Sequence, residues 1–178
     1  MQRYRLPFFN YAGESLEIKF YMEDYIGEIE TLTGAPSAFV VTGTDEEFVY
    51  EPVRTSTASV SIVTDSLLND LFSVNSHHVA VKLYRGNKLL WTGYVEPEVF
   101  TQAYVPIADK LSINCISAIG TLENIQYEKQ TENGFITAIN LLRYIIRSAN
   151  GGYEKIYIPY VYGSSEVNYS TNYQSQWI

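Results

Sequence analysis

Cysteine, positive charge and long apolar runs are all scarce in this chain. A single Cys among 178 residues excludes an internal disulfide and any cysteine-built zinc cluster. Only 12 Lys and Arg stand against 20 Asp and Glu, a formal net charge of -8. Nucleic-acid binding draws most of its affinity from a basic patch that neutralises phosphates, so no nucleic-acid partner is expected. No stretch reaches the roughly 18 consecutive apolar residues of a membrane helix, and no membrane span is expected. Met1-Gln2-Arg3-Tyr4-Arg5-Leu6 lacks the apolar core of a signal peptide, which predicts synthesis and folding in the cytoplasm. Charged residues make up 18% and hydrophobic ones 46%, a balance that excludes disorder for most of the chain. Its length fits one domain, or a domain with a small appendage, burying roughly two-thirds of its unfolded surface.

Tyrosine is abundant. The 16 Tyr and the 15% aromatic share suit half-buried pleated surfaces and contact surfaces, where the ring is apolar and the hydroxyl can meet water.

The clearest strand is Leu16-Glu17-Ile18-Lys19-Phe20-Tyr21-Met22-Glu23, whose strict alternation puts Leu16, Ile18, Phe20 and Met22 on one face. A strand over residues 3–9 precedes it, joined by the turn-rich Asn10-Tyr11-Ala12-Gly13. Residues 27–36 are ambiguous, and Phe39-Val40-Val41 reads as a short strand. Further strands are expected over 47–53 and 59–63. Asp65-Ser66 then offers a helix cap before a short helix over 67–72. Residues 79–84 and 89–95 flank Arg85-Gly86-Asn87-Lys88, a strong hairpin signal, with Val81, Leu83, Leu89 and Trp91 on its buried side. Strands follow near 100–104 and over 110–116, where Cys115 shares a face with Leu111 and Ile113 as a buried, inert thiol.

The period then changes. Phe135, Ile139, Leu142 and Ile146 recur at helical spacing, flanked by Ile136, Leu141 and Ile145. Asn133 can cap the start, Arg143 and Arg147 favour the end, and Asn150-Gly151-Gly152 stops the helix. The stripe reads as a core face. A strand over 155–162 carries Pro159, which marks it as an edge strand or extended arm. Residues 164–178 are polar apart from Tyr169, Tyr173, Trp177 and Ile178. The expected fold is therefore mainly β, a barrel or sandwich of short antiparallel strands with one longer C-terminal α-helix. It divides into a β domain over 1–130, a helix plus edge strand over 131–163, and a polar aromatic tail over 164–178. No internal repeat stands out.

No catalytic, cofactor or metal motif emerges. Adjacent residues on a strand point to opposite faces, so His77-His78 cannot readily share a metal and reads as leading into a strand. Asp45-Glu46-Glu47 lacks the alternating oxygens, Gly and distal Glu of a calcium loop and reads as a solvated turn. Gly151-Gly152 lacks the Lys-Ser/Thr of a phosphate loop, and no Gly-x-Ser-x-Gly elbow occurs. Dispersed carboxylate pairs remain open, but no local pattern singles one out. The surface aromatics Tyr157, Tyr160, Tyr162, Tyr169, Tyr173 and Trp177 are candidate interface residues; the same rings can stack on sugars, which keeps a carbohydrate- or receptor-binding module as the alternative.

Pro52-Val53-Arg54-Thr55-Ser56-Thr57-Ala58, then Trp91-Thr92-Gly93-Tyr94-Val95-Glu96-Pro97, then Ser117-Ala118-Ile119-Gly120-Thr121-Leu122 occur in an order that resembles the tail or baseplate-hub-like proteins of phages and prophages of Bacteroides-type bacteria. About half of the chain carries the likeness. Ile119-Gly120-Thr121 departs from it where Asp-Gly-Leu is expected. The resemblance implies a non-catalytic structural protein without cofactors. It would assemble with copies of itself and other tail proteins and end in a virion or tail-like particle. Members of that family are usually longer, so this chain is expected to be an N-terminal piece. Within the motifs, Gly93 permits close backbone approach and Pro97 ends a strand.

Overall fold

The computed structural model describes residues 1–43, 55–97, 108–124 and 138–149. The chain divides into two compact units, Met1–Thr121 and Leu122–Ile178. The first unit is a mixed eight-stranded sheet, and the protein is mainly β as expected. Its strands are β1 (Gln2–Phe9), β2 (Ser15–Met22), β3 (Glu30–Thr31), β4 (Thr33–Gly43), β5 (Ser56–Thr64), β6 (Val79–Arg85), β7 (Lys88–Val95) and β8 (Asp109–Ser117). They lie in the order β3-β1-β2-β6-β7-β8-β5-β4. All pairings are antiparallel except β1 with β3. The two outer positions are consecutive pieces of one stretch, separated only by Leu32, yet the ladder does not close.

Alternation explains the core. On β2, Leu16, Ile18, Phe20 and Met22 are buried while the residues between them are partly open. Val79, Val81 and Leu83 of β6, Val60 and Ile62 of β5, and Leu111, Ile113 and Cys115 of β8 meet them inside. Each large aliphatic chain so buried contributes about 1.5–3 kcal/mol. The hairpin forms as expected, with Gly86 and Asn87 as its two-residue turn. Gly86 alone takes a positive φ there, of 57°, the conformation glycine adopts without steric cost. Leu90 is the extra residue of a bulge opposite Leu83 and Tyr84, so it is exposed while Leu89 and Trp91 are half-buried.

Two expectations need correction. The short helix shrinks to a 3-10 helix at Asn69–Leu71, started by Leu68 without a side-chain cap bond. Ser66 instead donates to Asp65, and its N–H donates to Thr64. Helix nucleation is costly, and burying Leu68 and Leu71, three residues apart, suits the 3-10 repeat. The short strand at Phe39 is part of the eleven-residue β4, and the ambiguous 27–36 stretch supplies β3 and the start of β4. His77 and His78 lead into a strand as expected, from a turn closed by Asn75, with β6 starting at Val79.

In the second unit the expected helix is described as α1 (Ala138–Ser148), with Arg147 in its last turn. Its apolar stripe is not a uniformly covered face. Leu142 and Ile145 are exposed, while Leu141, Tyr144 and Ile146 are half-buried. An apolar stripe is buried only where something packs on it. The strands expected over 47–53, near 100–104 and over 155–162 lie outside the described residues.

Candidate functional site

A groove of about 650 Å³ opens between the end of β1, the start of β2 and β4. Its walls are Phe8, Phe9 and Tyr11 on one side and Ala35, Pro36, Ala38, Phe39, Val40 and Val41 on the other, with Leu16 at its base. None of these carries a charge. Phe9, Tyr11, Val40 and Val41 are exposed, whereas Leu16, Ala35 and Ala38 are buried, so the groove runs from surface into core.

Two prolines account for the opening. β3 pairs with β1 at Tyr4 and Arg5, and Leu32 N–H continues the parallel ladder to the Arg5 carbonyl at 2.8 Å. The next donor from β1 would come from residue 7, which is Pro7 and has no N–H. On the facing strand, β4 leaves its register with β5 between Gly34 and Phe39, where the four residues 35–38 of β4 lie opposite the single Ser61 of β5. That bulge contains Pro36 and Ser37, the one described non-glycine residue with positive φ, at 59°. The strands diverge there, and apolar side chains line the gap. Phe39 lies against Trp91 in a T-shaped contact, with ring centres 5.5 Å apart. The Trp91 Nε1–H donates to Ser56 Oγ at 3.0 Å. Trp91 thus braces the groove from behind through β4 and β5.

The densest polar cluster gathers around Arg3. Its guanidinium stacks on Tyr4 and Tyr25 at 4.4 and 4.6 Å. It donates to Glu30 at 2.6 Å, Asp70 at 3.2 Å and Tyr25 Oη at 2.8 Å. The Tyr4 hydroxyl donates to the Asp70 carboxylate at 2.8 Å. Burial, then the bond to Asp70, pushes the Tyr4 phenol well above its ordinary value. Every member has its partner, so the cluster fastens β1 to the β2–β3 loop and the 3-10 helix. It is a staple rather than a reactive centre.

His77 is equally committed. Its ring meets Tyr94 edge-on with centres 4.5 Å apart, and Nε2 lies 3.1 Å from Thr121 Oγ1. Thr121 is fully buried and gives its own proton to the Ala118 carbonyl at 2.7 Å. His77 Nε2 therefore carries the hydrogen it shares with Thr121. Thr121 is, with Ile119, one of the two positions at which the sequence departs from the expected Asp-Gly-Leu turn. Among the described residues no three His, Cys, Asp or Glu side chains gather as a metal site, and no helix is long and apolar enough to cross a membrane.

The motif residues Trp91 and Gly93 lie on β7, and that strand ends at Val95, two residues before Pro97. A Cβ on Gly93 would fall on the Ile116 carbonyl oxygen and the Trp91 ring, so the close approach read from the sequence is present. Tyr157, Tyr160, Tyr162, Tyr169, Tyr173 and Trp177 lie outside the described residues, as do Asp45-Glu46-Glu47 and Gly151-Gly152. Sequence reading missed the groove. Its signals are Pro7 and Pro36 within otherwise strand-like runs and the exposed Phe9 and Tyr11 beside a turn. No protein-family model, no curated protein and no solved structure matches the chain.

Proposed function

We propose that the chain is a non-catalytic structural domain of a phage or prophage tail or baseplate assembly, acting through protein–protein interfaces. The tail context rests on the motif order 52–58, 91–97 and 117–122. On that reading the domain is made in the cytoplasm and ends in the assembled particle. The observation that carries the interface reading is the charge-free groove between β1 and β4, open to solvent at Phe9, Tyr11, Val40 and Val41. Contiguous exposed apolar surface rich in aromatic side chains is characteristic of protein contact sites. The groove's occupant on this reading is an apolar segment of a neighbouring subunit.

The test is mass by light scattering across concentration, for the parent chain and for Phe9→Ser/Val41→Ser. Both substituted side chains are exposed, so the variant should keep the parent fold. A discrete multimer that loses mass in the variant supports the reading. A parent monomeric at every concentration, with glycan binding that the same variant abolishes, would replace it with the carbohydrate-binding alternative.

A further inference from the structure

The outward faces of β1, β2 and β6 carry an unusual row. Arg5 lies opposite Lys19, and Lys19 lies opposite Lys82. Like charges directly across a sheet are destabilising, and the whole chain has 12 Lys and Arg against 20 acids. Three of those twelve nevertheless occupy adjacent positions. Diagonal tyrosines hold the two lysines: Lys19 Nζ sits 5.1 Å from the Tyr84 ring centre and Lys82 Nζ 5.4 Å from that of Tyr21. Glu17 answers Lys19 at 3.2 Å. Arg5 donates from Nε to Thr31 Oγ1 at 2.8 Å. Among the described residues, neither Arg5 nor Lys82 has an ion pair. The face is a two-tyrosine platform with more positive charge than its own carboxylates neutralise.

The complementary surface is on the same molecule, and among the described residues no ion pair joins it to the row. The β2–β3 loop, residues 23–29, carries the exposed carboxylates Glu23, Asp24 and Glu28 and the exposed side chains Ile26 and Ile29. Ile26 is 92% exposed. The loop is held in shape, because Tyr25 Oη donates to the Glu28 carbonyl at 2.6 Å and takes a bond from Arg3. Asp65 and Asp109, also exposed, lie at this same end of the sheet, where β5 finishes and β8 begins.

Building on the assembly reading above, we infer that the Arg5–Lys19–Lys82 row docks the β2–β3 loop of a second copy of this chain. The carboxylates face the row, and Ile26 and Ile29 rest on Tyr21 and Tyr84. The two surfaces differ, so the contact is heterologous. Such contacts repeat head to tail and produce a ring or a filament.

Charge exchange tests it. One variant is Lys19→Glu/Lys82→Glu and the other Glu23→Lys/Asp24→Lys/Glu28→Lys, each checked for parent-like circular dichroism and thermal unfolding. Sedimentation is run at roughly 0.01 M and roughly 0.5 M ionic strength, where the screening length falls from about 30 Å to a few Å. The parent should associate more strongly at low salt than at high salt. Each variant alone should associate at least roughly tenfold more weakly, and their equimolar mixture should recover association. A row variant that associates like the parent while the groove variant does not would overturn this inference and leave the assembly reading standing. A parent monomeric at both salts would overturn both.

Discussion

Gly93 shows how a single residue can be fixed by its neighbours. Gly93 pairs with Ser117 across the ladder, and its missing side chain is what lets the Ile116 carbonyl and the Trp91 ring come so close. Gly93→Ala must push a backbone carbonyl or a braced indole, and overpacking of this kind costs about 3 kcal/mol. A chemical denaturation midpoint lowered at unchanged slope would show it. Tyr4 is fixed differently, through its hydroxyl. Tyr4→Phe keeps the ring against Phe20 but removes a donor to Asp70, and the expected loss is about 1–2 kcal/mol. Its pH signature is alkaline. Burial, then Asp70, raises the Tyr4 phenol far above the ordinary range, and burial, then Tyr84, pushes Tyr21 up to about 12. Below pH of about 10 both phenols are protonated in folded and unfolded chains alike. Above it the unfolded chain releases protons that the folded chain retains. Stability therefore falls as pH rises from about 10 through the folded values. Unfolding followed between pH 9 and 12 should show a shallower loss in Tyr4→Phe than in the parent.

At the scale of the element, turn chemistry and proline placement decide more than propensity. The β6–β7 hairpin turns on Gly86, whose surroundings leave open space for a side chain but whose φ of 57° strains most residues. Gly86→Val should therefore cost more than Gly86→Asn, by about 1 kcal/mol, because Asn tolerates the left-handed region and a β-branched residue does not. Thermal unfolding of the pair measures the difference. Pro7 and Pro36 act by omission, since each removes a donor from a strand facing the groove. The 3-10 helix at Asn69–Leu71 shows the reverse case, a cap signal whose Ser66 hydroxyl donates to Asp65 while the Ser66 backbone N–H donates to Thr64.

At the scale of the whole molecule, strand order brings together what the chain separates. Arg3 reaches Asp70 across 67 positions, and Trp91 reaches Ser56 across 35. The groove joins residues 8–16 to 35–41, and the cationic row draws on β1, β2 and β6. Both candidate contact surfaces lie on the first unit. If the assembly reading holds, the groove variant and the row variant should lower the mass of the multimer independently, and salt should mimic only the second. Light scattering with the two variants at both ionic strengths separates these effects.

The sequence by itself determined the mainly β character, the β2 and β8 faces, the β6–β7 hairpin, the burial of Cys115 and the need for glycine at 93. Each follows from residues within a few positions of one another, where a period of two or a turn pair specifies local backbone. Only the tertiary structure decided the rest: that His77 serves Thr121 and Tyr94, that the 3-10 helix starts at Leu68 without a side-chain cap bond, and that Arg5, Lys19 and Lys82 share a row. Those facts depend on register between distant strands, and register is set by how whole apolar faces meet. Local pattern does not encode which strand will be the neighbour, so a surface assembled from several strands becomes visible only once they are paired.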